Sequence, residues 1–162
     1  MIQRLQTLYL LIVFILSIVS LFSTIAGYNA GGEEVANFGD FAFNTLKEPF
    51  TQLKTTGPWA LGIIHVAVAL ISVITIMLFH KRVRQMRLTV FNIILLGGYL
   101  LVYAFFAWIY QQKLNEIPAT LEVTFQAKLT AIYPLVSLIL CVLAFRGIRK
   151  DEKLVRSLDR IR

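Results

Sequence analysis

Four stretches of the sequence are long, strongly apolar and free of Asp, Glu, Lys and Arg. They cover residues 5–26, 59–79, 88–110 and about 129–145. The hydrocarbon core of a bilayer is about 30 Å thick and takes roughly 20 apolar residues in one helix. Because the last stretch has only 17 uncharged residues, we begin that span near Thr124 and expect Lys128 to extend its amine toward the headgroups. The sequence therefore predicts transmembrane helices at about 5–26, 58–79, 88–110 and 124–145.

The composition agrees with a membrane domain rather than a soluble one. Of the 162 residues, 57% are hydrophobic and 15% are charged, whereas about 25% of an ordinary soluble domain is charged. Four spans and their connections use nearly the whole length, so residues 1–162 are predicted to form one domain. The predicted fold class is an all-α membrane protein, an antiparallel bundle of four transmembrane helices.

The basic residues determine the predicted direction of the spans. The N-terminus, the turn 80–87 and the tail 146–162 supply 12 of the 16 Lys and Arg residues. Positively charged connections stay on the cytoplasmic side of a membrane. We therefore expect both termini, the turn and the tail in the cytoplasm, and the loops 27–57 and 111–123 outside. A cleaved N-terminal signal peptide is the alternative, but the first apolar run is longer than the 7–15 residues typical of one.

Each predicted span carries a stripe of residues at alternating steps of three and four, which places the stripe on one face of a helix. Three stripes consist mainly of small or weakly polar residues, whereas the third span has a bulky one. The small stripes are Ser17, Ser20, Thr24 and Gly27; Gly62, His65, Ala69 and Ser72; and Thr130, Pro134, Ser137, Cys141 and Ala144; the bulky stripe is Asn92, Leu96, Tyr99, Tyr103, Phe106 and Tyr110. Helices in a bilayer associate through close packing of small residues, so we expect the bulky stripe to pack against the small ones.

Two polar side chains within the spans, His65 and Asn92, are candidate functional groups. Polar and ionisable groups inside a membrane mark functional sites by default, although an imidazole or an amide there also serves as a hydrogen-bonding partner between helices. No Asp or Glu lies within any span, which disfavours an ion-coupled transporter. The single cysteine, Cys141, and the two histidines offer no set of metal ligands. We therefore predict no catalytic residue, metal or cofactor.

The turn 80–87 and the tail form the predicted binding surface. On a helix from about Lys150 to Ile161, apolar and basic side chains fall on separate faces, and such helices lie on anionic lipid or dock a partner. The surface comprises Lys81, Arg82, Arg84, Arg87, Arg149, Lys150, Lys153, Leu154, Val155, Arg156, Leu158, Arg160 and Ile161. We expect anionic headgroups or a partner protein to bind it. Nucleic acid is disfavoured because the basic run is short and includes three acids.

Three segments carry a resemblance to a known family. They are the opening 1–10, the turn 78–88 with Asn92 following it, and the ending 146–162. Together they resemble an uncharacterised family, a domain-of-unknown-function family of small four-span inner-membrane proteins from Bacteroidetes-type bacteria. The resemblance implies a bacterial inner membrane and the same topology, and it implies no activity, substrate or site residue.

These observations predict a non-enzymatic accessory or scaffold membrane protein that presents a basic cytoplasmic face. Its expected partners are the lipid bilayer, anionic headgroups and a larger membrane-protein complex. A small channel or carrier formed by oligomers is an alternative, based on the polar residues His65, Ser72 and Asn92. A membrane enzyme acting on a lipid is less favoured, because the sequence offers only isolated candidate groups for catalysis.

Overall fold

The computed structural model describes residues 2–52, 56–79, 81–117 and 122–159, and the side chains of residues 5–51, 56–79, 81–117 and 122–154. The helices are α1 (Ile2–Leu21), α2 (Trp59–Met77), α3 (Arg82–Asn115) and α4 (Tyr133–Asp159). The strands are β1 (Thr24–Ala30), β2 (Glu33–Gly39), β3 (Phe43–Thr45) and β4 (Val123–Ala127). Short 3-10 turns lie at Phe50–Gln52 and Leu129–Ile132.

The four helices lie side by side, and each runs antiparallel to the next one along the chain. α1 packs against α2 and α4, and α3 packs against the same two helices. At one end, which we call the basic end, Gln6 Nε2 donates to Asp151 Oδ2 at 2.7 Å, and Arg82 donates to the Asp151 carbonyl at 3.3 Å. These bonds join the start of α1, the start of α3 and the late part of α4. The strands lie at the opposite end, which we call the sheet end.

A four-stranded antiparallel sheet, in the order β3-β2-β1-β4, connects the helices at the sheet end. Gly31 and Gly32 turn β1 into β2 with φ values of 61° and 86°, the positive values that a type I′ hairpin turn requires. β4 comes from far along the chain and pairs with β1, so that Tyr28 lies opposite Phe125. The expectation of an all-α protein is therefore wrong, because most of the predicted outer loop 27–57 that is described belongs to this sheet and its turns.

The sheet packs on the last turns of α3. Since α3 has 34 residues, it is about 51 Å long and reaches beyond its contacts with the other helices to the sheet. The Phe38 ring contacts the rings of Tyr103 and Tyr110, with centroids 5.8 Å and 5.4 Å away. The buried Tyr28 hydroxyl donates to the Ala107 carbonyl at 2.8 Å, and burial raises the pKa of Tyr28, so this hydroxyl stays protonated and keeps donating.

This packing corrects the expected partner of the bulky stripe. Its lower part meets small stripes as predicted, since Leu96 shares a buried cluster with Cys141 and Asn92 bonds to Ser72. Its upper part, from Tyr103 to Tyr110, instead packs against aromatic side chains of the sheet. The physical reason is size, because large rings bury more apolar surface against a sheet face than against closely approaching small residues.

Two predicted span limits at the sheet end are wrong. α1 ends at Leu21 rather than at Ala26, because the following residues pair with β2 and β4. α4 begins at Tyr133 rather than at Thr124, which lies in β4. The Lys128 amine does not extend along its own helix toward headgroups but forms an ion pair with Glu34 at 2.7 Å. Strand pairing and this ion pair therefore end the helices earlier than the apolar pattern of the sequence predicts.

The helices at the basic end are longer than predicted. α3 already begins at Arg82, inside the expected turn 80–87. At the sheet end, the same helix continues to Asn115, beyond the predicted limit at Tyr110. α4 runs to Asp159 without a break, so the tail is helical up to that residue as expected, but as a continuation of α4 rather than as a helix of its own. Gly147 lets α1 approach closely here, because a Cβ at this position would lie 3.0 Å from Gln6 Cγ.

The small stripes face the interior, as predicted. Gly62, His65, Ala69 and Ser72 are buried on α2, and Ser137, Cys141 and Ala144 are buried on α4. On α1, Ser17 and Ser20 are buried, whereas the other two members of the predicted stripe lie in β1. Small and polar residues therefore share the interior with larger buried ones such as Leu10 and Leu96, and they allow the helix backbones to approach one another.

The opposite faces of the helices are apolar and exposed. Ile63 and Leu70 on α2 and Ile94 and Leu101 on α3 are each at least 60% exposed. Within the described residues, three helices are long and apolar enough to cross a membrane. They are Trp59–Met77, Arg82–Asn115 and Leu129–Leu154, the last of which joins the 3-10 turn to α4; the apolar helix Leu5–Leu21, within α1, is shorter.

Overpacking tests the small stripe of α4. Ser137 is 2% exposed, whereas Ile139, two residues along the same helix, is 52% exposed. We expect Ser137→Leu to lower the free energy of unfolding by about 1–3 kcal/mol, because the larger side chain has no space between the helices. Ile139→Leu is the matched control and should change it little. Denaturant unfolding of the two variants in the same detergent measures the difference, and equal stability of both would contradict the packing.

Candidate functional site

A buried cluster of three polar side chains lies where the sheet meets the helices. The Asp40 carboxylate accepts a hydrogen bond from His65 Nδ1 at 2.6 Å and another from the Tyr99 hydroxyl at 2.8 Å. The rings of His65 and Tyr99 lie against each other with centroids 4.1 Å apart. All three residues are at most 1% exposed. The cluster therefore joins the end of β2 to the interiors of α2 and α3.

A tight turn delivers Asp40 to this position. The turn is closed by a hydrogen bond from the Gly39 amide to the Ala42 carbonyl, and the Gly62 amide of α2 donates to the Asp40 carbonyl at 3.1 Å. The Phe41 ring rests directly on Gly62, where an added Cβ would lie 2.1 Å from the ring. Any side chain at Gly62 would therefore have to displace the Phe41 ring.

His65 was predicted as a candidate functional group, but its contacts with Asp40 and Tyr99 were not predicted. Asp40 lies in a predicted outer loop, so the absence of carboxylates from the spans concealed a carboxylate that reaches His65 from the sheet. Tyr99 was assigned to packing in the bulky stripe, yet it also donates to Asp40. A Gly-Asp-Phe turn sequence after a short alternating strand was the available signal, and it specifies a turn but not where that turn lies.

Asn92 bonds across helices at a level closer to the basic end. Its Nδ2 donates to Ser72 Oγ at 3.0 Å, and its Oδ1 has no hydrogen-bond partner among the described residues. The Ser17 hydroxyl is likewise buried and has no hydrogen-bond partner among the described residues, whereas the Ser20 hydroxyl lies beside that of Tyr99. An apolar layer separates Asn92 from the Asp40 cluster and consists of Val13, Val68, Leu96 and Cys141.

The predicted basic surface contains a groove between α3 and α4. The groove has a volume of about 370 Å³ and is lined by Met86, Phe145, Arg149, Glu152 and Lys153. Lys81, Arg84, Arg87 and Lys150 are exposed at the same end, and Leu154 is half exposed. The predicted members Val155, Arg156, Leu158, Arg160 and Ile161 lie outside the described side chains.

Arg82 has a different position from the rest of the predicted surface. It is partly buried and donates to the Asp151 carbonyl, while Gln6 donates to the Asp151 carboxylate. With Gln85 and Ile148, these residues line a cavity of about 10 Å³, about the space of one water. Gln6 and Asp151 were not among the predicted site residues, yet they hold three helices together at the basic end.

One comparison with known proteins gives a match. A family model described as a domain of unknown function (DUF4293) matches residues 2–161. The chain belongs to this family. The resemblance to an uncharacterised family is thereby confirmed, whereas the bacterial group and the four-span topology remain predictions. No curated protein and no solved structure matches the chain.

A methyl group at Gly62 should displace the turn that carries Asp40. Since Phe41 occupies the site of the Cβ, we expect Gly62→Ala to destabilise the protein by about 1–3 kcal/mol. Gly98→Ala is the matched control, because a Cβ at Gly98 meets nothing within 4 Å and alanine favours a helix by up to about 1 kcal/mol. Thermal unfolding of both variants decides the matter, and a Gly62→Ala protein as stable as the control would refute the contact.

A double-mutant cycle tests the Asp40–His65 pair. Each of Asp40→Ala and His65→Ala should destabilise by about 3 kcal/mol, since each leaves a buried polar partner unpaired. The double variant should lose less than the sum, by roughly 0.5–3 kcal/mol. The control cycle combines Asp40→Ala with Gln6→Ala at the other end and should be additive. Additivity in both cycles would show that the pair is not energetically coupled.

Proposed function

We propose that this chain is a non-enzymatic scaffold or accessory protein of a bacterial inner membrane. Its four helices cross the bilayer as an antiparallel bundle, with the sheet end outside and the basic end in the cytoplasm. The basic end is presented to a partner protein or to anionic lipid. The sheet caps the outer end and, through the Asp40 cluster, holds α2 and α3 in fixed positions.

The exposed apolar helix faces support insertion in a bilayer. Side chains such as Ile94 and Leu101 are largely exposed and have no favourable contact with water, but they match lipid tails. The shorter α1 is accommodated because it packs against both α2 and α4. The direction of insertion follows from the concentration of Lys and Arg at the basic end.

The observation that carries the proposal is the rigid placement of the basic residues. α3 and α4 extend past their apolar segments as unbroken helices, and the bonds of Gln6 and Arg82 with Asp151 hold the ends of α1, α3 and α4 together. Arg84 and Arg149 therefore lie on fixed helix surfaces rather than on a loose tail. A preorganised surface loses less conformational entropy on binding, which suits recognition.

The alternatives receive less support. The Asp40–His65 pair adds a carboxylate that a proton or cation carrier could use, but the apolar layer around Leu96 separates it from Asn92 and Ser72 within one chain. A pore between several copies stays a prediction. For an enzyme acting on lipid, the Asp40 cluster has suitable groups, yet each is at most 1% exposed, so substrate has no direct access to it.

Cysteine labelling tests the direction of the spans. In a Cys141→Ala background, Arg84→Cys places a thiol at the basic end and Asn115→Cys places one at the sheet end, both at exposed positions. We expect a membrane-impermeant maleimide to label only Asn115→Cys in intact spheroplasts, and both variants after lysis. Labelling of Arg84→Cys from outside would contradict the topology.

Photo-crosslinking in cells tests the scaffold role. A photoreactive amino acid replaces Arg87 at the basic end or Gln112 at the sheet end, both exposed. We expect discrete protein or lipid adducts from position 87 that disappear when Arg84 and Lys150 are changed to Glu, because like charges repel an acidic partner. Adducts from position 112 alone, or adducts from position 87 that survive charge reversal, would oppose the proposal.

A further inference from the structure

The groove between α3 and α4 has two chemically distinct parts. Its floor is formed by Met86 from α3 and Phe145 from α4, and its rim by Arg149, Glu152 and Lys153. Phe145, Arg149 and Lys153 are spaced by four residues, so they follow one another along the same face of α4. An apolar floor therefore passes into a basic rim over about two helical turns.

The apolar part continues toward the middle of the helices. On α3, Val90 and Ile93 follow Met86 on the same face, and on α4, Val142 and Leu138 precede Phe145 on its face. All four are partly exposed apolar residues. The seam between α3 and α4 thus forms an apolar strip that leads from the groove toward the sheet end.

The basic part is available for an anion. Neither Arg149 nor Lys153 forms a hydrogen bond or an ion pair within the part of the chain that the structure describes, and both are exposed. Glu152 contributes one negative charge, so the rim retains a net positive charge. An arginine and a lysine four residues apart present a forked donor and a point charge on one face, the combination that phosphate oxygens accept.

We propose that this groove binds one anionic glycerophospholipid of the cytoplasmic leaflet. The phosphate lies between Arg149 and Lys153, and an acyl chain follows Phe145 and Met86 into the seam. This inference rests on the proposed function, because it needs the bundle in a bilayer with the basic end inside, and it names the partner of that end. The bound lipid would cover the apolar strip between α3 and α4 and neutralise part of the positive charge beside it.

The combination of the two parts selects this ligand over others of like charge. Free phosphate or an acidic peptide would use the basic rim but leave the apolar floor and strip in contact with water. A zwitterionic lipid would fill the strip, but its ammonium group would meet the basic rim. Only an amphiphile with a net negative headgroup satisfies both parts.

Native mass spectrometry of the purified full chain tests the proposal. The protein in a mild detergent is titrated with phosphatidylglycerol and, separately, with phosphatidylcholine of the same acyl chains. The groove variant is Arg149→Gln with Lys153→Gln, and the control is Lys113→Gln with Arg146→Gln, which removes equal charge from exposed positions outside the groove lining and outside the predicted binding surface. A third variant, Phe145→Ala, shortens the floor without changing charge.

We expect the wild-type protein to bind one phosphatidylglycerol more tightly than phosphatidylcholine. The groove variant should bind it more weakly by about fivefold for each charge removed, while the control binds as the wild type does. Phe145→Ala should also weaken binding, and free glycerol phosphate should not compete. The thermal unfolding of each variant in detergent shows whether it is folded, and a destabilised Phe145→Ala is replaced by Met86→Ala.

Three results would overturn the groove as a lipid site. An equal loss in the groove variant and the control would mean that the lipid responds only to the total charge of the protein. Competition by glycerol phosphate would mean that only a phosphate group is recognised. Equal binding of both lipids would remove the headgroup argument. In each case, the cysteine labelling and crosslinking outcomes stand independently, so failure of the lipid site is distinguishable from failure of the proposed function.

Discussion

The Asp40 carboxylate accepts hydrogen bonds from His65 and Tyr99, and through them one turn of the sheet is fixed to two helices. A carboxylate without water is costly unless its oxygens are paired. Both oxygens are paired here, and the pairing is possible only if β2, α2 and α3 keep their relative positions. The contact of Phe41 with Gly62 and the spacing of α2 and α3 therefore depend on one buried group, which acts together with the aromatic packing of the sheet on α3.

α3 links the two parts of the molecule. Its portion nearer the basic end forms hydrogen bonds to neighbouring helices, such as that of Asn92 with Ser72. Tyr103 and Tyr110, nearer the sheet end, pack against the sheet. A helix of 34 residues is longer than the roughly 20 that a bilayer requires. The excess at the sheet end supports the sheet, and the excess at the basic end carries Arg84 and Arg87. One unbroken helix thus connects the sheet to the proposed binding surface.

The local parts of this structure were predictable, and the distant contacts were not. The burial of Gly62 on α2 and of Ser137 and Cys141 on α4 follows from the spacing of small residues along each helix, which can be counted in the sequence. Gly31 and Gly32 indicated a turn between β1 and β2, but the apolar residues at the start of β1 were assigned to the predicted first span. The pairing of β4 with β1, like the contact of Asp40 with His65, joins segments far apart in sequence, and no local pattern encodes such a contact.

The claim that α3 crosses the bilayer and ends in water at both sides can be measured by spin labelling along this helix. Labels replace Arg84, Ile94, Leu101 and Gln112 in the protein reconstituted in vesicles. We expect oxygen, which concentrates in lipid, to collide most with labels at positions 94 and 101, and a water-soluble nickel chelate to collide most at positions 84 and 112. If the chelate reaches positions 94 and 101 as freely as position 112, the exposed apolar face of α3 does not face lipid and the membrane account fails.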